Sequence, residues 1–273
     1  MIFPGLIDLH VHSAPDVRVR RHTDLELAAA AHADGSRAIV LKSHHVPTMD
    51  RAWHTARATP GISVFGGVAL NWPVGGLNLH AVSTAIKHGA KIIWLPTLHA
   101  ENHRRKEGRS DGIRVVCDGQ VVEAANAIFA LIAEANIILA TGHLGAEEIP
   151  LVVAAAAAKK VKKILINHPE HRVVGMTIAQ QRELRRDFPV FFERCYSQPN
   201  GDDTYQSNLQ VNLRALETLG PESTVLASDA GQIENRSWTE CCKQTFEFLS
   251  SHGVNDSQLR QMAADTPAQL LGL

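Results

Sequence analysis

The sequence predicts an α/β protein built as one (β/α)8 TIM barrel over 1–273, and three observations lead there. The length, 273 residues, falls in the range of a single α/β barrel. Apolar, β-branched runs alternate with Ala/Leu/Arg-rich segments of helical spacing, the pattern of a parallel sheet. Polar residues gather at the ends of the runs, which favours a closed barrel over a long open sheet.

Taken in order, strands are expected at 5–12, 37–42, 63–70, 91–95, 136–141, 163–167, 189–194 and 224–228. Helices are expected between them at 24–33, 49–58, 79–88, 121–135, 147–158, 179–186, 206–219 and 239–252, with a short last one at 256–262. Most strand ends lie roughly 25 to 35 residues apart, the length of a βα unit. The step from the fourth strand to the fifth is longer, and the excess maps to an inserted segment at 99–120. Its second half sets Asp118-Gly119 between β-branched residues, which reads as a hairpin. The insertion is either a tolerated surface feature or a lid, since βα-loop insertions in barrels sit on the active-site face.

Composition narrows the partners. Lys and Arg (27) nearly cancel Asp and Glu (28), and the one basic cluster, 103–109, is interrupted by Glu107, so neither nucleic acid nor an anionic membrane is expected. The chain opens Met1-Ile2-Phe3-Pro4-Gly5 and runs into a strand without the features of a signal peptide. The longest apolar run, 149–158, ends at Lys159 and Lys160, well short of the roughly 18 residues of a membrane span. Cys117, Cys195, Cys241 and Cys242 form no C-x-x-C pair, which points to a reducing, cytoplasmic setting. A small-molecule substrate is therefore the expected partner, with self-association left open.

Histidine stands out, at fifteen residues against two tyrosines, and position decides its meaning. On the first strand Leu6, Asp8, His10 and His12 alternate with Ile7, Leu9 and Val11, so one face is polar and the other apolar. Two histidines two residues apart at the end of an aliphatic strand can both reach one cation. The fifth, sixth and eighth strands finish on His143, His168 and Asp229. Each of these alone has a structural reading, as a helix cap. Together, four imidazoles and a carboxylate suit one or two divalent ions, Zn first, with Mn, Fe or Ni as the other candidates.

With these residues in place the sequence resembles the amidohydrolase superfamily, whose pattern is H-x-H on the first strand, His on the fifth and sixth, and Asp on the eighth. Asp8-Leu9-His10-Val11-His12 is similar to its opening motif, and 265–273 (DTPAQLLGL) looks like its closing segment. The resemblance spans the chain and implies a metal-dependent hydrolase. Metal-bound water would attack an amide, an ester or lactone, or a phosphoester, with Asp229 as general base and His168 available to stabilise an oxyanion if one metal is bound. In detail the chain looks most like a poorly characterised amidohydrolase-like branch with Leu41-Lys42-Ser43-His44-His45 after strand two and Gly75-Gly76-Leu77-Asn78 after strand three.

One departure matters. Binuclear members bridge their metals with a carboxylated Lys or a Glu, usually from strand four, whereas that strand here ends Trp94-Leu95-Pro96-Thr97-Leu98-His99. Lys42, which shares parity with His44, is the nearest substitute. It would carry a carbamate, bind an anionic part of the substrate, or pair with Asp8. His44, His45, Asn71, His99, Glu193 and Arg194 are the further rim residues expected to meet substrate, with Gln232 beside them. Alternatives to hydrolysis are a mononuclear decarboxylase and a phosphoesterase of the histidinol-phosphatase type, which also begins with H-x-H. A metal-binding protein without catalysis is disfavoured by the intact Asp229.

Overall fold

The structure, a computed structural model, describes residues 3–200, 202 and 204–273. Met1 and Ile2, where the expected absence of a leader begins, lie outside them. In chain order come β1 (Ile7–His12), α1 (Asp24–Ala33), β2 (Ala38–Lys42), α2 (Met49–Ala58), β3 (Ser63–Phe65), β4 (Gly67–Ala69) and α3 (Leu79–Lys87). Next are β5 (Ile92–Trp94), α4 (Glu101–Lys106), β6 (Val116–Cys117), β7 (Gln120–Val121), α5 (Glu123–Ala135), β8 (Ile138–Ala140), α6 (Glu148–Ala158), β9 (Ile164–Ile166) and α7 (Ile178–Asp187). The last are β10 (Val190–Cys195), β11 (Ser197–Pro199), β12 (Tyr205–Ser207), α8 (Leu209–Leu219), β13 (Thr224–Ala227), α9 (Trp238–Ser251), α10 (Asp256–Arg260) and α11 (Thr266–Leu271). The fold is thus mixed α/β with parallel sheet, and none of its described helices is long and apolar enough to cross a membrane.

Two compact units are distinguished. The first comprises Met1–Ser43, Thr48–Gly66 and Arg194–Leu273. In it β1, β2 and β3 pair in parallel, with Ile7 opposite Ala38 and Ala38 opposite Ser63. The segment after β13 runs beside β1, where the Asp229 N–H donates to the His10 carbonyl (2.9 Å) and Val11 bridges Ala230 in parallel. Val11, Leu27, Ile39, Leu41, Trp238, Phe246 and Met262 share its buried core. Helix ends are specified locally: Thr23, Ser237 and Asn255 each close a capping box with Glu26, Glu240 and Gln258.

The second unit comprises His44–Pro47 and Gly67–Glu193. Its parallel strands run in the order β4, β5, β8, β9, β10. Ile92, Ile93, Leu139, Ile164, Leu165 and Phe192 are buried there, as strands covered on both faces require. Thr177 and Gln180 close a fourth capping box, at the start of α7.

Several expectations need correction. The strand expected at 63–70 is two strands, divided at Gly66, where a Cβ would run into the Thr48 backbone. Residues 205–207 form a strand pairing antiparallel with β11, where the sequence pattern had suggested the start of a helix. Asn136 ends α5 in left-handed geometry (φ 50°) and does not open a strand. The 99–120 segment carries the expected β6–β7 hairpin, with Asp118 (φ 50°) and Gly119 (φ 75°) in its turn, but its charged half is the helix α4. The 265–273 segment is largely helical, following a π-helical turn over Gln261–Asp265.

Candidate metal centre

In the first unit β1 carries Asp8, His10 and His12, and β13 leads into Ser228 and Asp229. The parallel alignment of the two brings His10 Nε2 to 3.1 Å and His12 Nε2 to 3.2 Å from Asp229 Oδ1. These ligand-type atoms all lie within 4.8 Å of one another. The approach depends on a glycine: Gly231 has φ 123°, and a Cβ there would meet the His12 carbonyl. Behind them Asp8 accepts from the N–H groups of His10 (3.0 Å) and Ser228 (3.2 Å) and from Trp238 Nε1 (2.9 Å). Burial pushes the Asp8 carboxyl up, and these hydrogen bonds oppose the shift without cancelling it.

Arg20 Nη2 lies 3.2 Å from His12 Nδ1. A guanidinium has no acceptor, so Nδ1 must accept, and the proton of the neutral ring sits on Nε2, directed at Asp229. Burial first, then the Arg20 charge, push the His12 pKa down to about 3. Burial alone would raise Asp229, but the imidazoles of His10 and His12 outweigh it and hold the carboxyl well below the usual range. Arg20 in turn pairs with Asp16 at 2.7 Å. Lys42 is 1% exposed, and its Nζ lies 2.9 Å from His10 Nε2.

In the second unit His143 and His168 follow β8 and β9, with ring centroids 5.2 Å apart. Gly142 (φ 62°) makes the turn into His143 where a Cβ would strike the Leu95 and Pro96 carbonyls. His143 Nδ1 lies 2.7 Å from His103 Nδ1, and His103 Nε2 lies 3.2 Å from Glu107 Oε1. Asn102 also donates to the His143 carbonyl at 3.0 Å. Both contacts come from α4, within the inserted segment that reads as either a surface feature or a lid. His168 (φ 26°) and Asp229 (φ 49°) are two of five described non-glycine residues with left-handed backbone. The other three, Asp118, Asn136 and Lys160, lie in a hairpin turn or just past a helix, so the two exceptions mark predicted ligand positions.

The remaining rim residues divide. His44 Nδ1 lies 2.8 Å from Thr97 Oγ1 with its ring 5.8 Å from that of His143, and His45 stands edge-on to His44 at 6.4 Å. His99 stacks on Trp72 at 4.2 Å, and its pKa is lowered by burial and then by Arg104. Asn71 is held by two neighbouring loops. Its amide donates to the His44 carbonyl and Thr97 Oγ1 while its oxygen accepts from the N–H groups of Thr97 and His99, so it orders loops and has no free donor for substrate. Glu193 accepts from Asn167 Nδ2 at 3.1 Å through both oxygens. Arg194, in the first unit, is 1% exposed. Gln232 donates to the Asp229 carbonyl, again ordering a loop.

The donor set tests whether a metal fits. Two imidazole nitrogens aimed at one ionised carboxylate oxygen are the ligand types and spacing of a divalent first-row cation.

Comparison with known proteins follows the same line. The model of a family of unknown function (DUF6282) matches residues 5–193. No curated protein matches. Among solved structures, an amidohydrolase from Pseudomonas aeruginosa superposes with TM-score 0.68 at 10% identity, over 97% of this chain and 95% of that one. An enamidase described as a new member of the amidohydrolase superfamily gives 0.61 at 15% identity, over 99% and 68%. A 2,6-dihydroxybenzoate decarboxylase gives 0.55 at 10%, over 99% and 100%. The neighbours are amidohydrolase superfamily members, and at these identities the likeness is one of fold.

Proposed function

The chain belongs to the family of unknown function DUF6282, and from that premise we propose that it is a metal-dependent hydrolase of the amidohydrolase type acting on a small molecule. One observation carries the reading: the Nε2 atoms of His10 and His12 and the Asp229 carboxylate converge within 4.8 Å. His10, His12 and Asp229 would hold a divalent cation, Zn²⁺ first, and the superfamily resemblance assigns His143 and His168 as ligands as well. The reading includes the (β/α)8 barrel of the structural neighbours, with the 99–120 segment as its lid. A cytoplasmic setting fits the four cysteines, all free thiols.

A divalent cation at such ligands supplies Lewis acidity and brings the pKa of a water to about 7. Asp229, ionised across neutral pH, accepts the proton of the attacking water at Oδ and returns it to the leaving group. Lys42, with its Nζ beside His10, holds an anionic part of the substrate next to the reacting centre. Asp8, accepting from the His10 and Ser228 N–H groups, holds the backbone that presents the ligands. A general base contributes about 10²- to 10⁴-fold, so Asp229→Asn should keep the fold and most of the metal while losing at least about a hundredfold in turnover.

Elemental analysis of protein purified without added metal, then a panel of amides, lactones and phosphoesters, tests the reading. His10→Ala and His12→Ala should each lower bound metal sharply; normal content in both would remove the site. Decarboxylation is the second reading. It is favoured because strand β5 leads into Leu95-Pro96-Thr97, with no Lys or Glu to bridge a second ion. Release of CO2 without uptake of water would identify it.

A further inference from the structure

The loops that leave the candidate metal ligands build a second feature. Past His12 the chain reaches Arg21, and past Asp229 it reaches Glu234, Asn235 and Arg236. With Tyr196 and Tyr205 these residues line a polar cavity of about 460 Å³. Its walls are therefore continuous with both strands that carry the His10–His12–Asp229 cluster, all within the first unit.

The charge balance of the lining is positive. Arg21 and Arg236 both face the cavity, while its one carboxylate, Glu234, is taken by Arg18 at 2.9 Å. Arg21 is held in place: its Nη2 donates to the carbonyls of Ile233 (2.5 Å) and Asn235 (2.6 Å), so the charge is fixed on the wall before any ligand arrives. Asn235 is itself anchored, donating to Ser197 Oγ (2.9 Å) and Gln232 Oε1 (3.2 Å). Tyr205 adds a phenol, whereas the Tyr196 hydroxyl is already spent, donating to Gln244 Oε1 at 2.5 Å. Fixed guanidinium and phenol donors around a polar space suit a compact anion with several acceptor oxygens.

We propose that this cavity is an acid-binding subsite, taking a carboxylate or phosphate group of the substrate remote from the reacting centre, with Arg236 and Tyr205 as its adjustable donors and Arg21 as its fixed charge. The proposal rests on the metal-centre reading for its role in catalysis but not for binding itself. The substrate class is then a small molecule with a terminal acidic group.

Calorimetric titration of the full chain with succinate and with inorganic phosphate, after chelator treatment and dialysis, tests it; neutral succinamide is the control. One of the two anions should bind the metal-free protein, and which one does distinguishes a carboxylate from a phosphate subsite. Loss of one charge-assisted hydrogen bond is worth about tenfold in affinity, so Arg236→Gln should weaken binding by that factor. Tyr205→Phe, which removes a single hydroxyl, should weaken it several-fold with the circular dichroism spectrum unchanged. His10→Ala should bind the anion as wild type does, so a failed metal site and a failed subsite give different results. No heat with either anion, equal heat with succinamide, or an unchanged Kd in Arg236→Gln overturns the proposal.

Discussion

Lys42 shows how one residue can dominate a site. A lysine 1% exposed, with its ammonium 2.9 Å from an imidazole that would also ligate a cation, faces desolvation and like charge at once. Two of the roles open to it are binding an anionic substrate group and carrying a carbamate. The two differ in what happens when the amine is taken away. Lys42→Met should retain its metal by elemental analysis and raise KM about tenfold or more, the worth of one charge-assisted contact. Loss of the metal in that variant would point to a carbamate ligand instead. Because replacing a buried charge by an apolar group of similar volume is often neutral or stabilising, the thermal midpoint should not fall.

At the scale of elements, α4 is the part whose role changed most. Its residues 101–106 belong to the insertion that reads as either a surface feature or a lid, and Asn102 and His103 both bond His143, with His103 continuing to Glu107. Metal-ligating histidines usually have the second ring nitrogen bonded to a partner that fixes tautomer and orientation, and removal of that partner typically costs 10- to 100-fold in metal affinity or activity. His103→Ala should therefore weaken metal binding about tenfold in a competition titration, with the helical circular dichroism signal intact. Glu107→Gln should have a smaller effect in the same direction. If neither variant moves the metal affinity, α4 serves packing alone. The helices themselves are secured by local chemistry, as the capping boxes at Thr23, Thr177, Ser237 and Asn255 show.

For the molecule as a whole, a cation bound only by the native state must raise stability by mass action. At a hundredfold excess over Kd the gain is about 2.7 kcal/mol, which for a chain of this size corresponds to a rise of roughly 5 to 10 °C in Tm. Zn²⁺ should produce that shift in scanning calorimetry, chelator should reverse it, and His10→Ala should abolish it. The ligands bind only when deprotonated, and with the His12 pKa down at about 3 and the Asp229 carboxyl held well below its usual range, these two stay competent as pH falls through about 6, so the shift should persist there. A Tm indifferent to metal in the wild-type chain would contradict the proposed site.

Much of this was legible in the residues. The strand and helix order follows from periodicity, since apolar alternation and 3.6-residue spacing are local properties; α1 and α2 were placed at the bounds the structure shows. The His10–His12 pair and Asp229 were legible because ligand-type residues ending aliphatic strands have few bland explanations. Other features arise between segments far apart in sequence, and no local pattern encodes them. The pairing of Arg20 with His12 and Asp16, the bond from His103 to His143, and the engagement of Asn71 by two loops all depend on which loops fold against each other. The strand break at Gly66 is of the same kind, being set by the Thr48 backbone that occupies the space of a side chain. Composition and periodicity determined the elements and the ligand types; tertiary packing alone decided which groups surround each ligand, and hence its charge, its tautomer and its aim.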